Sequence, residues 1–296
     1  MKLGYPCINR GIGCTANTTF RLASYSHARM RECISNNLAC LERILKFNLE
    51  NRLMFFRISS DIVPFASHPV CDYDWAGIHG AHFRRIGRFI RENGMRISMH
   101  PDQFVLINSN EKGVVQRSIA ELEYHAKVLD AMGLKKDAKI QIHVGGEYGD
   151  KRQATMRFCD VYSTLPRAVA RRLVIENDDR LYSLRDCLAI SAKTGVPVLF
   201  DVFHHACLNN GEGVREALGQ AAGTWGIRDG VPMVDYSEQK KGARAGTHAD
   251  RINVRRFLDF VNETRPLDFD VMLEIKDKEK SALRARDALL KLGIML

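Results

Sequence analysis

The sequence predicts an α/β protein folded as one (β/α)8 TIM barrel, a single domain over residues 1–296, and three features predict it. Eight short apolar runs, each bounded by polar residues, recur along the chain in the manner of buried parallel strands. Helix-length segments separate them, several closed by a glycine that opens a short step into the next run. No shift in composition breaks the series, which favours one domain. A doubly wound sheet is the alternative, but such sheets usually carry fewer strands.

The runs are KLGYPCIN to Asn9, LMFFRISS to Ser60, RISMH to His100, KIQIH to His143, LVIEN to Glu176, PVLFD to Asp201, VPMVD to Asp235 and DVMLE to Glu274. After the first comes an irregular loop. A helix then runs from about Ser26 to Asn51, with Ile34, Leu38, Leu41, Ile44 and Leu45 on one face. The second run leads through DIVPFASHPVCDYD into a helix from about Trp75 to Asn93, with Gly94 as its C-cap. Further helices are expected over about 113–132, 151–172, 183–194, 212–222, 254–263 and 280–292. The stretch 237–253 has no periodicity; a loop that long in a compact domain is usually functional, and this one carries Lys240, Lys241, Arg244 and Arg251.

Lys and Arg number 44 against 35 for Asp and Glu, a formal charge of +9. Acidic groups gathered in a site leave the remaining surface more basic still, which favours a polyanionic partner such as nucleic acid. No apolar run approaches the roughly 20 residues of a membrane span. The start MKLGYPCINRG lacks the apolar core of a signal peptide. The eight cysteines include no CxxC pair and no dense disulfide pattern. The expectation is a reduced, cytoplasmic monomer, nucleoid-associated if the source is bacterial.

A charged group at the end of a buried strand costs desolvation unless something pairs with it. In a barrel, the C-terminal strand ends open on one face, so His100, His143, Glu176, Asp201, Asp235 and Glu274 are expected around a single mouth. His204 follows Asp201 by three residues, His248 lies in the long loop, and His68 follows strand two in FASH. Histidines and carboxylates in similar number suit Mn²⁺ or Zn²⁺ better than Ca²⁺ or Mg²⁺. The donors exceed what one tetrahedral ion uses, so two or three divalent ions are expected, with Glu176 bridging. Each residue alone has a plainer role. A lone strand-end His is usually a satisfied hydrogen-bonder, and Asp201 can cap a helix. Six such endings on different strands have no packing cause. His27 and His125 are read as surface or packing residues, and of the tandem His204 and His205 at most one faces the site.

In HPDQF, Pro101 turns the chain away from strand three, and Gln103 and Phe104 project from the rim. An amide beside an aromatic ring can wedge into a duplex where bases are displaced. Tyr5 and Asn9 are expected to face the mouth, where they would stack on or hydrogen-bond a flipped nucleotide; core packing is the equal alternative for Tyr5. Arg57, inside strand two, needs carboxylate partners or phosphate.

At these residues the chain resembles the UV damage endonuclease family, which is related to endonuclease IV. The matching pieces are GYPCIN, FRISSDIVPFASH, ISMHPDQFV, IHVGG, IEND, DVFHH, DYS, GTHAD and LEIKDKE, in family order from end to end. The resemblance implies a metal-dependent DNA-repair endonuclease acting on double-stranded DNA. Such an enzyme nicks immediately 5′ of cyclobutane pyrimidine dimers and 6-4 photoproducts, and of abasic sites. It implies His100, His143, Glu176, Asp201, His204, His248 and Glu274 as ligands of a manganese- or zinc-type cluster. Glu176 and His68 are the expected catalytic residues, Gln103 and Phe104 the pair that pushes the lesion out, and Tyr5 and Asn9 the lining of its pocket. Arg57, Lys240, Lys241 and Arg244 complete the expected DNA contacts. The pattern departs in three places. Met233 stands where the family has a carboxylated lysine, Asp235 replaces a histidine, and Phe104 replaces a tyrosine. Asp235 remains a candidate ligand, harder than imidazole, which moves the expected preference towards Mn²⁺. A sugar isomerase or epimerase is the rival enzyme, and a non-catalytic damage-binding protein the third reading.

Overall fold

Side chains along a strand alternate between two faces, and that alternation builds the interior of this protein. The computed structural model describes residues 1–294. Its strands are β1 Leu3–Pro6, β2 Phe55–Ile58, β3 Arg96–Met99, β4 Lys139–His143, β5 Leu173–Glu176, β6 Val198–Asp201, β7 Met233–Tyr236 and β8 Asp270–Leu273. All pair in parallel and in chain order, and β8 closes on β1 to complete the expected barrel. The helices are α1 His27–Glu50, α2 Trp75–Ile78, α3 Gly80–Glu92, α4 Lys112–Ala131, α5 Lys151–Thr164, α6 Arg167–Ala170, α7 Leu184–Thr194, α8 Val202–Cys207, α9 Val214–Ala222, α10 Val254–Glu263 and α11 Glu279–Lys291.

Two expected helices are each divided. The one over 75–93 breaks at His79, which ends α2 and precedes α3. The one over 151–172 breaks at Leu165, held extended before Pro166 because proline's ring disfavours a helical residue in front of it. The stretch 237–253 is a closed hairpin, not a structureless loop: Lys240 N–H donates to Thr247 O and Ala249 N–H to Glu238 O, both at 2.8 Å. The cysteines are not all reduced. The loop after β1 lies on α1 and joins Cys14 to Cys40 in a disulfide, a proximity that spacing along the chain does not reveal.

Inside the barrel, Phe55, Val174, Leu199, Met233 and Met272 form an apolar plug. Below it, at the N-terminal end, Arg96 pairs with Asp270 (2.8 Å) and lies over the Trp225 ring. Above it, two residues further along the same strands, stand Arg57, Glu176, Asp201, Asp235 and Glu274. The plug thus separates two charged layers. Gly4 on β1 lets β2 close in: a Cβ there would lie 1.6 Å from Phe55 O. Gly4→Ala is expected to destabilise the barrel by about 2–3 kcal/mol in urea titration. An unchanged midpoint would mean that the strands separate freely.

Candidate metal centre

The C-terminal mouth gathers its donors by strand parity. Glu176 ends β5 and is almost wholly buried, with His100 Nε2 at 3.5 Å, His143 Nε2 at 4.0 Å and His204 Nδ1 at 3.1 Å. The His100 and His143 rings lie 5.5 Å apart, as do those of His143 and His204. Asp201 does two things. Its Oδ1 accepts from His204 N–H at 2.7 Å and so starts the short helix α8, while its Oδ2 is buried without a hydrogen-bond partner. That one turn of helix lifts His204 into the centre and turns His205 away, towards Glu212 O at 3.2 Å.

Three sets of donors result: His100, His143 and Glu176; Glu176, Asp201 and His204; Asp201, Asp235 and Glu274. Within each set the candidate ligand atoms lie within 4.8 Å of one another. Glu176 belongs to the first two sets and Asp201 to the last two. Oxygen and imidazole donors converging in this way, with an orphaned buried carboxylate oxygen among them, fit divalent transition ions.

The third set has another occupant. Arg57, on β2, points up through the same layer; its Nη2 donates to both oxygens of Asp235 at 2.7 Å, and its Nη1 meets Glu274. The expectation that Arg57 touches DNA is therefore corrected: it is buried and spent on carboxylates. Gln141, two residues before His143 on β4, completes the network. It donates to Glu176 Oε2 (2.8 Å) and Asp235 Oδ2 (2.7 Å) and accepts from Arg57 (2.7 Å).

The charges are balanced unevenly. Burial opposes ionisation of Glu176, but His143, His100 and His204 outweigh it and hold the carboxyl well below its usual range. Burial opposes protonation of His204, but Asp201 and Glu176 override it and push that imidazole up to about 11. Burial raises Asp201, with His204 pulling back and Glu176 adding to the rise. Burial also raises Asp235 to about 7, because Arg57 only partly offsets burial and the crowding of Glu274 and Glu176. Binding a cation here releases protons, so affinity is expected to strengthen as pH rises.

The remaining expected residues divide clearly. His248 reaches the mouth from the hairpin and donates Nδ1–H to Glu274 O at 2.9 Å. Gln103 lines the cavity beside His100, and Phe104 stands 53% exposed on the rim. Lys240, Lys241 and Arg244 sit on the hairpin, Lys240 paired with Asp250 at 2.8 Å. Tyr5 and Asn9 do not line the mouth, and that expectation is corrected. Gly4 and Pro6 take the inward places on β1, so Tyr5 faces α1, fully buried, and donates to Asn48 Oδ1 (2.7 Å). Asn9 in turn donates to the Tyr5 hydroxyl (2.8 Å). His68 is not brought to the cluster either. It is exposed in a turn, where its Nδ1 accepts from Val70 N–H at 3.1 Å.

Sequence reasoning missed Gln141 and Asn177. Asn177 exchanges two hydrogen bonds with the backbone of Asp201 (2.9 and 3.0 Å), and its own carbonyl accepts from His204 Nδ1 at 3.0 Å. It thereby orients two candidate ligands at once. The usable signal was position. Gln141 shares inward parity with His143, and Asn177 directly follows Glu176.

A parallel barrel with overlapping histidine and carboxylate sets at its C-terminal mouth belongs to the class of TIM barrels equipped for divalent metal ions. Within that class the chain is a member of the UvdE family, matching UV-endonuclease UvdE over residues 1–293. It is 36% identical over 291 residues to UV DNA damage endonuclease from Clostridium perfringens (strain 13 / Type A), covering 98% of this chain and 71% of that protein. It superposes on the crystal structure of SacUVDE with a TM-score of 0.96 at 46% identity, each chain covered in full. Endonuclease IV from Thermus thermophilus shares the fold, with a TM-score of 0.57 and 17% identity over 85% of this chain and 94% of that one.

Proposed function

We propose that this chain is a DNA-repair endonuclease that hydrolyses the backbone of double-stranded DNA immediately 5′ of UV photoproducts, cyclobutane dimers and 6-4 products alike, and at abasic sites. The observation that carries the reading is the run of donor sets sharing Glu176 and Asp201. His100, His143 and Glu176 would hold one divalent ion, and Glu176, Asp201 and His204 a second, with His248 beside them. Commitment of Asp235 to Arg57 supports two ions more than three. Carboxylate-rich sets support Mn²⁺, with Zn²⁺ as the second choice. When bound, such ions polarise the phosphodiester and lower the pKa of an adjacent water.

The chain's own residues supply the rest. Gln141 and Asn177 hold Glu176, Asp201 and His204 in place. The basic surface draws DNA in with salt-sensitive affinity. A photodimer stacks and pairs poorly, so extruding it costs less than extruding intact bases. Gln103 and the exposed ring of Phe104 then fill the gap. All these donors come from one chain, which supports action as a monomer. No helix among the described residues is long and apolar enough to cross a membrane, and a DNA substrate places the reading in the cytoplasm.

The test is nicking of UV-irradiated supercoiled plasmid with Mn²⁺, with strand ends mapped to the 5′ side of dimers and activity lost in EDTA. Turnover of a free sugar with no nicking would transfer the assignment to the isomerase class. For the wedge, Gln103→Ala with Phe104→Ala is expected to lower the preference for irradiated over intact DNA by about tenfold, the scale of one lost base–aromatic stack. Bound metal should be unchanged; an equal loss of metal would remove the wedge from the reading.

A further inference from the structure

Cations around the mouth are mostly committed to carboxylates. Arg57 serves Asp235 and Glu274. Lys240 and Lys276 share Asp250 at 2.8 and 3.6 Å, and Arg180 pairs with Asp179 at 3.2 Å. Lys278 differs. It is half-buried and lines the same cavity of about 480 Å³ as His100, His143, Glu176 and Glu274. Among the described residues its side chain makes no ion pair and no hydrogen bond.

Its backbone is also unusual. Lys278 has φ 54° and ψ −117°, a region that a residue with a Cβ enters only at a cost. Glycine would sit there without strain. Lysine therefore occupies a strained position without a stabilising partner of its own. The cavity it lines carries the carboxyl groups of Asp102, Glu176 and Glu274, against the single guanidinium of Arg57. A phosphodiester entering that cavity needs a cation not already spent.

We propose that Lys278 is a phosphate-contacting residue whose ammonium binds a non-bridging oxygen of the DNA backbone at the mouth. The proposal rests on the phosphodiesterase reading above. Lys278→Gly separates function from folding, because it relieves the backbone while removing the ammonium. Compared with wild type, it is expected to keep or raise Tm and to retain its bound Mn²⁺. Its kcat/KM on irradiated plasmid should fall at least about tenfold, the effect of 1.4 kcal/mol. On undamaged duplex, the slope of log Kd against log salt should shrink by about 0.9, one phosphate contact. Lys278→Arg should recover part of both. Unchanged nicking and slope in the glycine variant would overturn the proposal, and so would loss of metal in step with activity. If metal-loaded wild type does not nick irradiated DNA, the endonuclease reading falls, while the salt-slope difference still reports on the phosphate contact independently.

Discussion

Glu176→Gln is expected to abolish nicking and leave the barrel folded. Glutamine fills the same volume, and its side-chain oxygen can still accept the Gln141 amide hydrogen that now reaches Glu176 Oε2 at 2.8 Å. The network beneath the mouth therefore survives. The shared negative charge does not. Glu176 is the only residue common to the two sets that contain histidine, so one substitution weakens both. Divalent ions supply several kcal/mol of transition-state stabilisation. Each 1.36 kcal/mol is a factor of ten, so kcat should fall by about a thousandfold or more. Metal content by mass spectrometry should fall with it, and the rise in Tm that Mn²⁺ gives wild type should shrink, because a ligand stabilises only the state that binds it. Retention of full activity, or of full metal content and the full Tm rise, would deny Glu176 its bridging place.

The candidate ligands were legible because a barrel turns strand endings into a ring. Glu176, Asp201 and His143 each end a strand on the inward face, and parity of two carries every one of them to the same rim. The same rule explains the error at Tyr5. β1 ends at Pro6 and not at Asn9, and a one-residue change of register sends a side chain to the opposite face. Ser60 likewise lies beyond the end of β2, where its hydroxyl bonds His100 O at 2.7 Å. Arg57 inside strand two announced a need for carboxylate or phosphate, but its partner Asp235 lies 178 positions away and nothing local in either run identifies it. Gln141 carries no charge and stood unremarked in an apolar run, although a buried amide needs partners as much as a carboxylate does. Helix α8, six residues long, was too short for periodicity to show, yet it is the turn that aims His204.

Arg57→Met tests that silent coupling. Methionine keeps the apolar stem above the plug and removes the guanidinium, leaving the buried Asp235 and the half-buried Glu274 without their counter-charge. Breaking one side of a buried pair costs about 3–5 kcal/mol, and urea titration of metal-free protein near pH 7 should show a loss of that order. The pH dependence follows from Glu274. Burial pushes its carboxyl up, but Arg57 overrides burial and holds it at about 2, below the ordinary 4.5. A carboxylate depressed in the folded state stabilises above its unfolded pKa, and that stability is lost as pH falls towards the folded value. Wild type owns this contribution and Arg57→Met does not, so the Glu274 share of the gap between them should be full above about pH 4.5 and narrow as pH falls towards 2, while Asp235, raised to about 7 even beside Arg57, widens the gap only above that pH. Adding Asp235→Asn to Arg57→Met should return part of the loss, because the second change removes a buried carboxyl whose ionisation Arg57 no longer offsets. The coupling energy of that cycle should exceed about 1 kcal/mol, as expected for residues in direct contact. A gap that stays constant with pH, together with strictly additive losses, would mean that Arg57 stabilises the barrel by packing alone. The mouth would then hold its carboxylates apart by some other means.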